Sequence, residues 1–136
     1  MSNLTNAADL VGRVLISAIF LITGLGKISG YADTQGYMAA YGVPGALLPL
    51  VIAVEVLGAL AIIAGYRTRM AAAVLAVFTL AAGLLFHSAP GDQTQQMMLL
   101  KNVAIAGGFL ILFARGAGAW SLDARALTRI KVLEQR

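Results

Sequence analysis

The sequence predicts an all-α membrane protein in which four transmembrane helices form a bundle. Of the 136 residues, 60% are hydrophobic and 12% are charged, whereas a soluble domain usually has about a quarter charged residues. The apolar residues form four blocks, near 10–26, 49–66, 70–87 and 97–114. Each block approaches the ~20 residues needed to cross a ~30 Å hydrocarbon core. The blocks lack the polar stripe of a water-facing helix, so a soluble bundle is disfavoured.

The first span is predicted at 8–27, and we expect it to be an uncleaved signal anchor because no basic segment precedes its apolar block. Glycine and proline punctuate the connection that follows, and its tyrosines suit a membrane interface. We therefore predict a short helix over about 32–41 on the outer side of the membrane. The second span is predicted at 48–66, with Pro49 in its first turn, where the missing N–H costs little.

The third and fourth spans are predicted at 70–88 and 96–114. Gly116 and Gly118 should end the fourth span, since glycine commonly follows the last helical residue. All four spans belong to one predicted membrane domain, residues 1–136.

The C-terminal segment 121–134 is predicted to form a basic helix lying on the membrane. Ser121 can cap its first turn, and Asp123 lies near its positive end. Its apolar residues fall on one face while most of its basic residues lie elsewhere, which is typical of an interfacial helix; that face is Leu122, Ala126, Ile130 and Leu133. The alternative is a solvated basic tail that only fixes topology.

The basic residues predict the orientation of the chain. With four spans, one side of the membrane carries eight of them and the other carries only Lys27 and Lys101; the eight are Arg13, Arg67, Arg69, Arg115, Arg125, Arg129, Lys131 and Arg136. The positive-inside rule then places both termini in the cytoplasm, facing anionic lipid. No aromatic-interleaved basic motif indicates a nucleic-acid partner.

Each predicted span carries a polar group at a similar depth. Counted from the nearest basic residue at about 1.5 Å per residue, Glu55 lies roughly 18 Å deep and Lys27 and Lys101 roughly 21 Å deep. Asn102 lies next to Lys101, and His87 lies near the outer boundary. A charge facing lipid costs at least ~2.5 kcal/mol, so these groups should turn inward and pair.

Glu55 and Lys101 are the expected ion pair because their depths agree within about two residues, and Lys27 is the competing partner for Glu55. Small residues lie beside the polar groups on each helix face, which favours close packing there. Because the polar groups lie on the faces that should pack together, we predict a polar pocket inside the bundle. The alternative is a buried ion pair that fixes helix register and carries no chemistry.

A polar pocket in an apolar bundle suits the headgroup of a quinone or a similar amphiphile. Lys101 or His87 could donate to a carbonyl, and Glu55 could accept or relay a proton; these three are the catalytic candidates. The predicted ligand-binding residues are Lys27, Glu55, His87, Lys101 and Asn102.

The composition excludes several redox sites within this chain. No cysteine is present, which excludes a self-contained thiol–quinone oxidoreductase, and a single histidine excludes a bis-His haem. No metal site and no nucleotide-binding motif is predicted. If electrons move, a redox partner protein should supply them.

Several segments together resemble the DoxX family of bacterial inner-membrane proteins. They run from Arg13 to Asp123 and read FLITGLGKISGY, YGVPG, VIAVEVLGAL, AGYRTRMAA, LLFHS and LLKNVAIAGGFLIL followed by GAGAWSLD. The resemblance implies a four-helix bundle in the bacterial inner membrane and places the five predicted ligand-binding residues on the family's recurring polar positions. The family takes its name from membrane subunits associated with thiosulfate:quinone oxidoreduction. Thiosulfate chemistry is not expected here, because the chain has no cysteine and no large extracytoplasmic domain.

Three functions are consistent with the sequence. The leading hypothesis is a redox-associated subunit that binds quinone or a similar amphiphile in an outer-leaflet pocket. The second is a non-catalytic assembly or interaction protein whose buried charges are structural. The third is a small transporter or proton conductor, which would need a homo-oligomer to enclose a path. Whether the protein is an enzyme is left open by the sequence.

Overall fold

The computed structural model describes residues 2–135, which contain six α-helices and one 3₁₀ turn. In chain order these are α1 (Asn3–Ser29), α2 (Tyr31–Ala40), the 3₁₀ turn (Gly45–Leu47), α3 (Leu48–Ala64), α4 (Thr68–Phe86), α5 (Gln93–Arg115) and α6 (Leu122–Glu134). Four of these segments are long and apolar enough to cross a membrane, namely α1, the 3₁₀ turn with α3, α4, and α5. The predicted four-span, all-α architecture is confirmed.

The helix ends follow local chemistry. The Ser2 hydroxyl accepts from the Thr5 backbone N–H at 3.3 Å, so α1 begins before the apolar block that predicted the span. Pro49 lies in the first turn of α3, as predicted. Gly65 and Gly116 follow α3 and α5 with φ of 67° and 77°. Such left-handed values favour glycine and end both helices sharply.

The helices pack as two pairs joined through α3 and α4. One pair is α1 with α3, and the other is α4 with α5. At Gly24 an added Cβ would lie 2.8 Å from Val56 Cγ2, and at Gly83 it would lie 3.1 Å from the Asn102 side chain. These glycines therefore let the paired backbones approach closely. The buried cluster between the pairs comprises Phe20, Ala59, Ile62, Ala72, Leu75, Ala76 and Phe109.

The bundle has two chemically different ends. The end that carries α6 and the α3–α4 loop is called here the basic end, and the end that carries α2 and the α4–α5 loop is called the α2 end. The observed bounds of α2 agree with the predicted short helix to within one residue. Helix α6 is also confirmed, and the Ser121 hydroxyl caps it by accepting from the Ala124 N–H at 3.1 Å.

Arg13 is buried at the basic end, with 1% of its surface exposed. Its guanidinium donates to Asp9 at 3.0 Å, to the carbonyls of Ile62 and Ile63 at 3.1 and 2.7 Å, and to the Trp120 carbonyl at 2.6 Å. Arg13 thereby ties α1 to the end of α3 and to the segment before α6. From the sequence, Arg13 was one of the basic residues that predict the orientation of the chain in the membrane, and these contacts were not predicted.

Asp123 also connects two elements at the basic end. Its carboxylate accepts from the backbone N–H groups of Arg67 and Thr68 at 2.7 and 2.9 Å, and so caps α4 as well as lying in the first turn of α6. Partial burial acts to raise the pKa of Asp123, but the hydrogen bonds from Thr68 and Arg67 and the charge of Arg13 outweigh it. The pKa of Asp123 is therefore lowered.

Candidate functional site

A cavity of about 470 Å³ lies between the four long helices on the α2 side of the buried cluster. Helix α2 and the segment after it cover its end through side chains that include Met38 and Val43. All five residues predicted to bind a ligand line this one cavity: Lys27, Glu55, His87, Lys101 and Asn102. Most of the other lining residues are apolar, and among them are Ile19, Val51, Phe78 and Ile105.

Glu55 pairs with Lys27, not with Lys101. The Lys27 Nζ lies 3.0 and 2.9 Å from the two carboxylate oxygens, and the side chains of Lys27 and Glu55 are 25% and 7% exposed. The predicted Glu55–Lys101 pair is therefore wrong. Helix α3 packs against α1 at Gly24, directly beside Glu55, whereas α3 and α5 share no extensive interface within residues 2–135. The similar depths of Glu55 and Lys101 in the membrane gave no information on which helices are neighbours.

Lys101 lies on the exposed side of the cavity wall. Its Nζ donates to the Met98 sulfur at 3.4 Å, and a thioether is a weak acceptor. Within residues 2–135 the ion pairs are Arg13–Asp9 and Lys27–Glu55, so Lys101 has no counter-charge there. The ammonium group thus retains most of its hydrogen-bonding capacity.

Asn102 and Thr79 connect α5 to α4 inside the cavity wall. The Asn102 amide donates to the Thr79 carbonyl at 3.3 Å, which leaves its Oδ1 free to accept. The Thr79 hydroxyl is buried and has no hydrogen-bond partner among residues 2–135. Sequence reasoning did not select Thr79 as a site residue, although it shares a helix face with His87. A buried hydroxyl without a partner is costly unless something bonds to it.

His87 follows the last residue of α4 and is oriented by α5. Its Nδ1 lies 2.7 Å from the Gln95 side-chain oxygen. An amide oxygen can only accept, so Nδ1 carries the proton and the neutral ring presents Nε2 as an acceptor. His87 can therefore donate to a ligand carbonyl from Nε2 only when the ring is protonated, which narrows the donor role predicted from sequence.

Aromatic rings close the cavity at the α2 end. The ring of Phe86 stacks on Tyr37 at 5.4 Å and meets Tyr41 edge-on at 5.2 Å, and the two tyrosine rings are 4.9 Å apart. Burial raises the pKa of Tyr37, and the neighbouring Tyr41 raises it further. The sequence had assigned these tyrosines to the interface alone, since nothing in their spacing indicated contact with α4.

The donor set of the cavity does not suit a metal ion. Within the described range, 2–135, no group of three or more histidine, aspartate or glutamate side chains lies together. The site instead combines ammonium, carboxylate, imidazole, amide and hydroxyl groups in an apolar wall. Such groups can bind a polar headgroup through hydrogen bonds while the wall contacts an apolar body.

Comparison with known proteins agrees with this architecture. The DoxX family model matches residues 8–88. Inner membrane protein YqjF of Escherichia coli (strain K12) is 48% identical over 123 residues, which cover 90% of this chain and 95% of that protein. Inner membrane protein YphA of the same organism is 39% identical over 123 residues, covering 85% and 88%. No solved structure is significantly similar. The chain therefore belongs to the DoxX family and is an integral inner-membrane protein.

Proposed function

We propose that this protein binds the headgroup of a quinone or a similar amphiphile in the cavity, as the membrane subunit of a redox system whose electrons come from another protein. One observation carries the proposal: polar groups from all four spans line a single cavity that is otherwise apolar. Its volume of about 470 Å³ falls within the roughly 300–1,000 Å³ of typical small-molecule sites.

Unused hydrogen-bonding capacity in the cavity matches both forms of a quinone. The Lys27 ammonium has three N–H donors and gives two to Glu55, so a third is free for a carbonyl oxygen. Lys101 can donate to a second acceptor oxygen. The hydroxyl groups of a quinol need acceptors, and the Nε2 of neutral His87, the Oδ1 of Asn102 and the Glu55 carboxylate can supply them.

The orientation of the chain is part of the proposal. Arg136, one of the eight basic residues on the predicted cytoplasmic side, lies outside the described residues. The other seven support cytoplasmic termini, which would put the cavity in the outer half of the bilayer and α6 against anionic lipid. Because the chain has no native cysteine, the single-cysteine variants Ala89→Cys and Ala119→Cys can be labelled in intact cells with an impermeant maleimide. Labelling of Ala89→Cys alone is expected, and labelling of Ala119→Cys alone would reverse the orientation.

The ion pair also supports a second candidate function. Lys27 satisfies both oxygens of Glu55 without any ligand, so the pair can serve only to hold α1 against α3 in a non-catalytic assembly or interaction protein. The two candidates differ in whether the cavity has an occupant.

The test is to identify what the cavity retains. Protein purified in mild detergent is extracted with organic solvent, and apolar ligands are quantified by mass spectrometry at equal amounts of folded protein. Ala82→Phe places a ring in the cavity wall, and Leu84→Phe, at an exposed position of the same helix that does not line the cavity, is the matched control.

We expect near-stoichiometric quinone in the wild type and in Leu84→Phe, and at least a tenfold loss in Ala82→Phe. Equal amounts of retained quinone in the two variants would show that quinone does not bind in this cavity. Wild-type protein that retains no specific ligand would favour the structural candidate.

A further inference from the structure

Side chains cover the cavity toward both ends of the bundle, and the cavity has an open side between two helices. Toward the basic end, Phe20 and Phe109 are buried with their rings 5.4 Å apart, and Ile16 lies against Gly108 just beyond them. Toward the α2 end, Met38 is buried and the ring cluster around Phe86 covers the space.

The open side lies between α1 and α5. The α1–α3 and α4–α5 seams are closed by close packing, and α3 meets α4 at Gly58 and Leu75, on the basic-end side of the cavity. Helices α1 and α5 share no extensive interface within residues 2–135. Their named contacts, Phe20 with Phe109 and Ile16 with Gly108, all lie on the basic-end side of the cavity. Beyond that level, Thr23 of α1 and Lys101 of α5 both line the cavity and are both exposed.

This opening faces hydrocarbon. The residues beside it on the outer surface of the two helices are apolar and exposed, with Ile22 at 70% and Leu100 at 61%. In a membrane these side chains contact lipid tails, so the route to the cavity runs through the bilayer. Lys101 stands at the opening with the Met98 sulfur as its hydrogen-bond acceptor and no counter-charge among the described residues.

We infer that the ligand reaches the cavity sideways from the lipid between α1 and α5, and that Lys101 binds an acceptor oxygen on its headgroup. This inference rests on the proposed function and deepens it, because it restricts the ligand to molecules that partition into the bilayer. The headgroup lies against Lys101 and the tail extends back into lipid. A quinone carbonyl and a phospholipid phosphate both offer the required oxygen.

The first experiment narrows the opening. Thr23→Trp adds a large side chain at the edge of the opening, and Ile22→Trp adds the same side chain to a lipid-facing position that does not line the cavity. Each variant is reconstituted in phosphatidylcholine nanodiscs, loaded with deuterated decylubiquinone and mixed with unlabelled decylubiquinone, and exchange is followed by mass spectrometry.

Thr23→Trp is expected to slow exchange at least tenfold, while Ile22→Trp exchanges like the wild type. If Thr23→Trp exchanges quinone as fast as the wild type while Ala82→Phe loses binding, the sideways route is wrong and the proposed site remains intact. Wild-type protein that binds neither decylubiquinone nor phosphatidylglycerol would overturn both.

The second experiment tests Lys101 and separates the two headgroup sources. Lys101→Met should weaken decylubiquinone binding at least tenfold, and Lys101→Arg should retain binding within about threefold because it keeps the donor. Equal affinity in Lys101→Met and wild type would remove Lys101 from the site. The two sources are separated in alkyl-maltoside micelles, which contain no phosphate. Displacement of decylubiquinone by added phosphatidylglycerol, seen in the wild type and lost in Lys101→Met, would identify phosphate as the acceptor; no displacement would identify the carbonyl.

Discussion

The two ends of the bundle each bury charged groups, but they use them differently. At the basic end, four of the five N–H donors of Arg13 are bonded to Asp9 and to backbone carbonyls. Around the cavity, Lys27 retains a donor, Lys101 has only a thioether, and the Thr79 hydroxyl has no partner among residues 2–135. A buried charge by itself therefore does not indicate a binding site. The cavity differs because unused hydrogen-bonding groups lie beside an apolar space, as a bound headgroup would require.

We expect the largest loss of stability when Arg13 is replaced. In Arg13→Met, three backbone carbonyls lose their donor in a buried or partly buried setting and Asp9 keeps only the Gly118 N–H, so the free energy of unfolding should fall by about 3–5 kcal/mol. Unfolding in mixed micelles with increasing dodecyl sulfate measures it. Arg13→Lys keeps the charge but has fewer donors, so its free energy of unfolding should lie between those of the wild type and Arg13→Met. If Arg13→Met were as stable as the wild type, the hydrogen bonds of Arg13 would not be what holds α1 to the end of α3.

Glu55→Gln should have an intermediate effect and should separate the two candidate functions. The Lys27 ammonium loses its counter-charge but can turn towards the open side, so we expect a loss of about 1–3 kcal/mol. The exchanged pair Lys27→Glu with Glu55→Lys should recover much of the stability because it restores the ion pair. If the exchanged pair also retains quinone like the wild type, the arrangement of these two groups does not determine binding, and the pair is structural.

Asp123→Asn should destabilise the fold by about 0.5–2 kcal/mol, because an amide is a weaker acceptor for the N–H groups that begin α4. The contribution of Asp123 to stability depends on pH in a definite direction. Since the folded-state pKa of Asp123 lies below its ordinary value of 3.8, its contribution is fully present above that value and is lost as the pH falls through the lowered folded pKa.

The difference in melting temperature between wild type and Asp123→Asn should therefore be constant from pH 7 to about 5. It should then shrink below about pH 4. A difference that grows on acidification would contradict the capping role.

The smallest effect is expected for a basic residue of α6. Arg129 is exposed and makes no ion pair with any of residues 2–135, so Arg129→Gln should change the free energy of unfolding by no more than about 0.5 kcal/mol. The same dodecyl sulfate titration compares it with Arg13→Met. A loss close to that of Arg13→Met would mean that α6 contributes to the fold through charge, and the contrast between buried and exposed basic residues would fail.

Much of the candidate site could be predicted from sequence. Polar residues in apolar blocks are conspicuous, and Lys27, Glu55, His87, Lys101 and Asn102 line one cavity as their depths suggested. The pairing of Glu55 was not predictable, because depth is a single coordinate along the membrane normal and Lys27 and Lys101 share it.

The role of Arg13 could not be predicted either. Three of its hydrogen bonds go to backbone carbonyls 49, 50 and 107 residues away in the chain. Every residue has a carbonyl, so such partners leave no signal in the sequence. The same applies to Asp123, whose partners are backbone N–H groups at the start of α4.

The sequence by itself determined the elements that local physics controls: four apolar spans, the short helix after the first span, the final basic helix, Pro49 in the first turn of the second span, and the helix end at Gly116. Hydrophobic length, capping and backbone freedom act within a few residues and can be recognised there. The tertiary structure alone decided that α1 neighbours α3, that α2 covers the cavity and that the bundle opens between α1 and α5. Those relations depend on which surfaces of separate helices fit together, and that fit is a property of packed backbones in three dimensions.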